Sequence, residues 1–184
     1  MAPGFRHLED REVASLDRIR VYRSRFEAPD GTTFERDVVR NHAVVAVVPV
    51  LEDGQTVVLV RQYRGPLDRA IEEIPAGLCD VADEPPEQTA RRELIEEVGL
   101  VPGHLELLAA FHPSPGFSDQ FVRVYLATDL TQVAPDRQGV EEAHMEVTTL
   151  SLAELDDAIA AGRLSDAKTL IGLLRARDHL HPGR

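Results

Sequence analysis

The sequence predicts an α+β fold, with mixed, mostly antiparallel sheets sandwiched between helices and a β-hairpin arm at the N-terminus. Three observations predict it. Two valine-rich runs, Ala43–Leu51 and Thr56–Arg61, lie on either side of an Asp53-Gly54 turn. One helix, Pro86–Val98, opens on proline and has Gly99 just past its end. Two further helical stretches close the chain, near Leu152–Ala161 and Asp166–Arg177.

In chain order, residues 1–17 are polar and weakly patterned, and partial mobility is expected there. A hairpin follows, with strands near Arg20–Phe26 and Thr33–Val39 around Pro29-Asp30-Gly31. Proline pre-sets φ in that turn and glycine accepts a positive φ. The two valine-rich runs are expected to be buried strands, because β-branched side chains suit a pleated surface. A loop through Gly65 and Pro66 leads to a short segment at Ala70–Ile74 and then to Pro75-Ala76-Gly77. After the helix, strands are expected at Leu105–His112, Gln120–Thr128 and Glu146–Leu150. Ser151 and Glu154 have capping-box spacing for the helix that follows. No repeat, low-complexity tract or long linker divides the chain. The expected organisation is an arm over residues 1–40 and a main domain over residues 41–184.

Charge narrows the functions. Acidic residues outnumber basic ones 32 to 20, a balance that repels a nucleic-acid backbone, so no nucleic-acid polymer is expected as partner. A small anionic substrate is still admissible, because bound cations invert local charge. The single cysteine, Cys79, excludes an internal disulfide and suits a reducing compartment. No leader-like start and no run of roughly 18 apolar residues is present, so the expectation is a cytoplasmic protein without a membrane partner.

The chemistry concentrates in Arg92-Glu93-Leu94-Ile95-Glu96-Glu97-Val98-Gly99-Leu100. Glu93 and Glu97 stand four apart and stack on one helix face, with Glu96 beside them. Like charges at that spacing cost an isolated helix ~0.2–0.5 kcal/mol each. Arg92 can neutralise one carboxylate, and a hard cation that takes oxygen ligands can neutralise others. Alone, such a face would be read as solvated. Its company changes that reading. Glu84, seven intervening residues and then the run to Leu100 resemble the Nudix hydrolase signature G-x5-E-x7-R-E-U-x-E-E-x-G-U, where U is a bulky aliphatic residue. The departure is at Gly77, which precedes Glu84 by six intervening residues instead of five.

That resemblance implies the Nudix fold and a Mg²⁺ site, with Mn²⁺ an alternative. Glu93 and Glu97 are the implied ligands, and Glu96 joins when several ions bind. Arg92 is expected to orient a carboxylate. The wider sequence resembles the ADP-ribose pyrophosphatase branch. Glu73-Ile74-Pro75-Ala76-Gly77 matches its E-[LI]-P-A-G, in which the alanine carbonyl is a metal ligand, which adds Ala76. Ser114-Pro115-Gly116-Phe117-Ser118-Asp119 matches a loop that lies beside the substrate. This implies Ser118 and the residue that follows the motif, Gln120, as substrate contacts. The branch usually has a glutamate at the latter position, so the preferred sugar is open.

The acidic loop Val140-Glu141-Glu142-Ala143-His144-Met145 matches the loop carrying the catalytic carboxylate, with Glu142 the first choice and Glu141 the alternative. Within Arg61-Gln62-Tyr63-Arg64, Arg64 is the implied phosphate contact, a task that suits a planar guanidinium. Phe34-Glu35-Arg36-Asp37-Val38-Val39 resembles the base-recognition strand of a domain-swapped homodimer, which adds Arg36. His42, His104, His112 and His144 have no ligand spacing, and Cys79 has no nucleophile setting. The implied activity is metal-assisted hydrolysis of ADP-ribose, a nucleoside diphosphate sugar, to AMP and ribose 5-phosphate. Three alternatives stand beside it: another such sugar, for example GDP-mannose; a non-catalytic sensor of ADP-ribose or NAD; and a hydrolase of nucleoside triphosphates.

Overall fold

A computed structural model describes residues 4–136 and 140–183, with the backbone alone at Val140 and Glu141. It divides into two compact units. The first contains the residues up to Ala43 together with His112–Phe121. Its strands β1 (Arg6–Ser15), β2 (Ile19–Glu27) and β3 (Thr33–Asn41) form one antiparallel sheet in that order. The expected hairpin is β2–β3, with Gly31 at φ +83 and the Asp30 carboxylate accepting the Thr32 N–H at 2.9 Å. The polar, weakly patterned start forms the strand β1 from Arg6 onward, an element the sequence pattern did not reveal. Nearly every residue of β1 is exposed, so the strand has no apolar face to betray it. Ladder pairing to β2 holds it, helped by Ser24 Oγ donating to Asp10 at 2.5 Å. In the same unit, Val39 N donates to Phe117 O at 2.7 Å and the Asp119 carboxylate accepts Asn41 N at 3.0 Å, which fixes the loop before Gln120 against β3.

The second unit contains β4 (Val44–Pro49), β5 (Thr56–Arg64), β6 (Arg69–Glu73), β7 (Ala76–Leu78), α1 (Pro86–Val98), β8 (Leu100–Phe111), β9 (Val122–Gln132), α2 (Val140–Ala143), β10 (Glu146–Ser151), α3 (Leu155–Ala160) and α4 (Ala167–Leu180). Short 3-10 turns occupy Gly65–Leu67 and Leu152–Glu154. One sheet has the order β7-β4-β9-β8, in which only the β4–β9 pair is parallel, and the other has the antiparallel order β10-β5-β6. β4 is buried on both faces, which is why its valines show no polar alternation. Val45 and Val47 pack with Ala90, Leu94 and Val98 of α1, while Ala46 and Val48 pack with Leu173 and Ala176 of α4. A Cβ on Gly172 would meet Val48, Val124 and Ile74 at 3.0–3.1 Å, so glycine lets α4 lie close on the sheet.

The observed helix α1 has the expected bounds, and Gly99 caps it at φ +67 while donating to Ile95 O at 2.9 Å. β8 begins five residues before the expected Leu105, because pairing with β9 runs on through Leu100, Val101 and Pro102, past a Pro-Gly pair of residue types that favour turns. The stretch Leu152–Ala161 opens as a 3-10 turn before becoming α3, and Ser151 caps it by accepting Ala153 N. Among the described residues, no helix is long and apolar enough to cross a membrane.

Candidate active site

α1 presents two faces to the protein. Ala90, Leu94 and Val98 enter the core, and one step around the helix Glu93 and Glu97 press against β7. Both carboxylates are buried, Glu93 9% and Glu97 5% exposed. Glu97 Oε2 accepts the Ala76 N–H at 3.1 Å. A Cβ on Gly77 would collide with the Glu93 carboxylate, so only glycine leaves room for that side chain.

Arg92 organises the outer side of this cluster. Its Nη1 lies 2.7 Å from Glu93 Oε1 and 3.0 Å from Glu96 Oε2, and its Nη2 lies 3.3 Å from Glu84 Oε2. Glu84 also accepts Thr89 Oγ1 at 2.8 Å. The Thr89 bond and Arg92 hold Glu84 below the usual carboxylate range. Glu93 and Glu97 go the other way. Burial, then the charges of Glu96 and Glu142, push Glu93 up to about 7 against the pull of Arg92. Burial, then Glu93 and Glu142, push Glu97 up to about 8, while the Ala76 N–H and Arg64 pull it back. Glu142, on α2, is thus close enough to be felt by both carboxylates. The Glu141 side chain lies outside the described residues.

Arg64, at the end of β5, is gripped by Glu73, whose Oε2 accepts Nε at 2.8 Å and lies 2.6 Å from Nη2. Glu73 Oε1 in turn accepts Lys168 Nζ at 2.9 Å. The structure therefore gathers Ala76, Glu93, Glu96, Glu97, Arg64 and Glu142 in the second unit. Arg36, Ser118 and Gln120 belong to the first. Arg36 Nη1 donates to Glu35 O at 2.7 Å, and its guanidinium lies 4.8 Å from the Phe34 ring centroid. Ser118 Oγ accepts the Gln120 N–H at 3.2 Å, and the Gln120 carbonyl lies 2.9 Å from His112 Nδ1. Cys79 packs beside the α1 core, where burial pushes its thiol up, away from nucleophile chemistry.

Sequence reasoning gave no role to Glu73, Lys168 or Thr169, and placed Glu84 in the motif without a task. A visible signal existed for one of these, since Asp166 precedes Thr169 at N-cap spacing.

The donor set suits a hard divalent cation in kind: carboxylates and a peptide carbonyl, all oxygen, with two carboxylates raised by burial first and by neighbouring carboxylates after it. Among the described residues no three His, Cys, Asp or Glu side chains are drawn into a ready metal cage, and Arg92 occupies Glu93 and Glu96.

In the second unit a sheet-and-helix frame thus carries an acidic helix face laid on the Ala76-Gly77 strand. The NUDIX domain model matches residues 40–170, and the chain belongs to the Nudix family as a Nudix hydrolase. It is 38% identical over 151 residues to the ADP-ribose pyrophosphatase of Bacillus subtilis (strain 168), covering 82% of this chain and 80% of that one. It is 40% identical over 152 residues to the ADP-ribose pyrophosphatase of Mycobacterium tuberculosis (strain ATCC 25618 / H37Rv), covering 83% and 73%. A crystal structure of an ADP compounds hydrolase shares the fold at a TM-score of 0.85 and 23% identity, covering 96% of this chain and 94% of that one.

Proposed function

We propose that the chain hydrolyses the pyrophosphate bond of ADP-ribose, giving AMP and ribose 5-phosphate. The observation that carries this reading is the intact carboxylate set of Glu93, Glu96 and Glu97 on α1, packed on Ala76-Gly77. The similarity to two ADP-ribose pyrophosphatases supports the choice of substrate. Glu93, Glu97 and the Ala76 carbonyl, with Glu96, would hold Mg²⁺ or Mn²⁺, which supplies positive charge against the diphosphate. Glu142 orients the attacking water and accepts its proton. Arg64, whose side chain is 39% exposed, pairs with phosphate oxygens. Arg36, Ser118 and Gln120 serve base and sugar recognition, and the N-terminal arm pairs with a second copy of the chain as a swapped homodimer.

Gln120 favours one second reading. A neutral amide hydrogen-bonds hydroxyls without a carboxylate's charge, so another nucleoside diphosphate sugar, such as GDP-mannose, is the alternative substrate. Product analysis tests both. Chelator-sensitive release of AMP and ribose 5-phosphate from ADP-ribose is the expected result. Cleavage of GDP-mannose in preference would move the assignment, and no cleavage of any such sugar would leave a binding protein.

A further inference from the structure

The molecule contains a second buried charge cluster, around Glu73, of which the hydrolysis just proposed uses only Arg64. Glu73, 3% exposed, divides its two carboxylate oxygens between two cations: Oε2 to Arg64 and Oε1 to Lys168. Lys168 Nζ also lies 3.0 Å from Asp166 Oδ2. Asp166 caps α4 by accepting Thr169 N at 2.9 Å and Thr169 Oγ1 at 2.7 Å. Fully buried Thr169 completes the circuit, because its Oγ1 accepts the Ile74 N–H at 3.0 Å. The Gln62 amide, with its oxygen facing the guanidinium, accepts Arg64 Nη1 at 2.9 Å.

We infer that Lys168 and Glu73 are positioning residues for Arg64, and that the first turn of α4 thereby sets the enzyme's grip on the substrate diphosphate. The inference rests on the phosphate role given to Arg64 above. Its physical basis is geometric. An arginine at a strand end has several freely rotating bonds, and holding it for bidentate pairing costs rotamer entropy. Glu73 removes that freedom by binding Nε and Nη2 together. A lone carboxylate between strands would itself be free to turn, and Lys168 fixes it by taking the other oxygen. The charges of Arg64, Lys168, Glu73 and Asp166 cancel, so no ion of the cluster is left unpaired, while the Arg64 side chain stays 39% exposed. Thr169 ties the same helix turn to Ile74, two residues before Ala76. One element therefore sets both the arginine and the backbone against which Glu97 rests.

The test combines steady-state kinetics on ADP-ribose with the ¹H–¹⁵N signal of the Arg64 Nε–H in the full chain. Lys168→Met and Glu73→Gln are expected to raise KM by about tenfold or more with kcat changed far less, and to remove the exchange protection of that signal. Lys168→Arg restores both. In an Arg64→Ala background, Lys168→Met adds nothing further, because nothing is left to position. Thermal melting identifies any variant that fails to fold. If so, Glu73→Gln, which preserves size, takes the place of Lys168→Met. An unchanged Arg64 signal in the folded variants overturns the inference, as does an equal rise in KM in both backgrounds. If Arg64→Ala leaves KM unchanged while the signal still responds to Lys168→Met, the phosphate role of Arg64 is what fails.

Discussion

Glu73 and Glu97 are glutamates of similar burial, 3% and 5% exposed, one at the start of the stretch Glu73–Ala76 and the other on α1, hydrogen-bonded to its end. Glu73 is bracketed by the guanidinium of Arg64 and the ammonium of Lys168. Glu97 has one backbone N–H, from Ala76, and feels two further carboxylates. The protein has satisfied the first charge from its own side chains and left the second short of positive charge. A buried anion costs several kcal/mol unless it is paired. Under the function proposed above, the difference separates a carboxylate that holds the structure together from one that is kept for a cationic ligand.

The sharpest way to break this comparison is Glu97→Gln. Turnover of ADP-ribose is expected to fall by at least about a hundredfold, while chelator-treated protein melts at a higher temperature than the parent. Undiminished turnover, or a lower melting temperature, would remove the distinction. The converse change is Glu73→Ala, which strands Lys168 and Arg64 and is expected to cost ~3 kcal/mol in denaturant midpoint analysis. The two substitutions therefore shift stability in opposite directions, and a common sign would refute the contrast.

Acidity sharpens it further. Glu97 has a folded-state pKa pushed up to about 8 from an ordinary 4.5, so folded protein holds a proton that the unfolded chain has released. Stability of chelated protein should therefore be highest below the lower value and decline as pH rises through the upper one. Urea midpoints at about pH 6 and about pH 8 should differ in the parent, and differ less with Glu97→Gln or with Mg²⁺ added. Asp166 behaves oppositely. Burial pushes it up, but Lys168 and Thr169 outweigh burial and leave it below the ordinary 3.8. Its contribution is present above that value and is lost as pH falls further. The smallest effect expected is that of Asp166→Ala, a lost helix cap worth ~1 kcal/mol by the same measurement. A loss no larger than experimental scatter would show the cap to be idle.

How much of this was legible in the sequence depended on the range of the interaction. α1 was legible to the residue, because Pro86 and Gly99 are local punctuation and the glutamates repeat with the helix. The valine-rich strands declared themselves by composition, and the Nudix motif supplied Gly77, whose reason is a Glu93 carboxylate where a Cβ would stand. β1 was not legible, since a strand with two exposed faces has no hydrophobic period. Pro102 and Gly103 hid the start of β8 behind turn chemistry. The cluster around Glu73 was invisible for a different reason. Lys168 is 95 positions away, and no local pattern announces a partner at that distance.

That separation has a bearing on biosynthesis. The Ile74–Thr169 hydrogen bond also spans 95 positions. At roughly 5–20 residues per second, a ribosome needs about 5–20 s to travel from one partner to the other. For most of that interval, once α1 has been made, the newborn chain carries all three α1 glutamates but has neither Lys168 nor Thr169. On the inference drawn above, competence to grip a diphosphate arrives with α4, which makes that helix its timer.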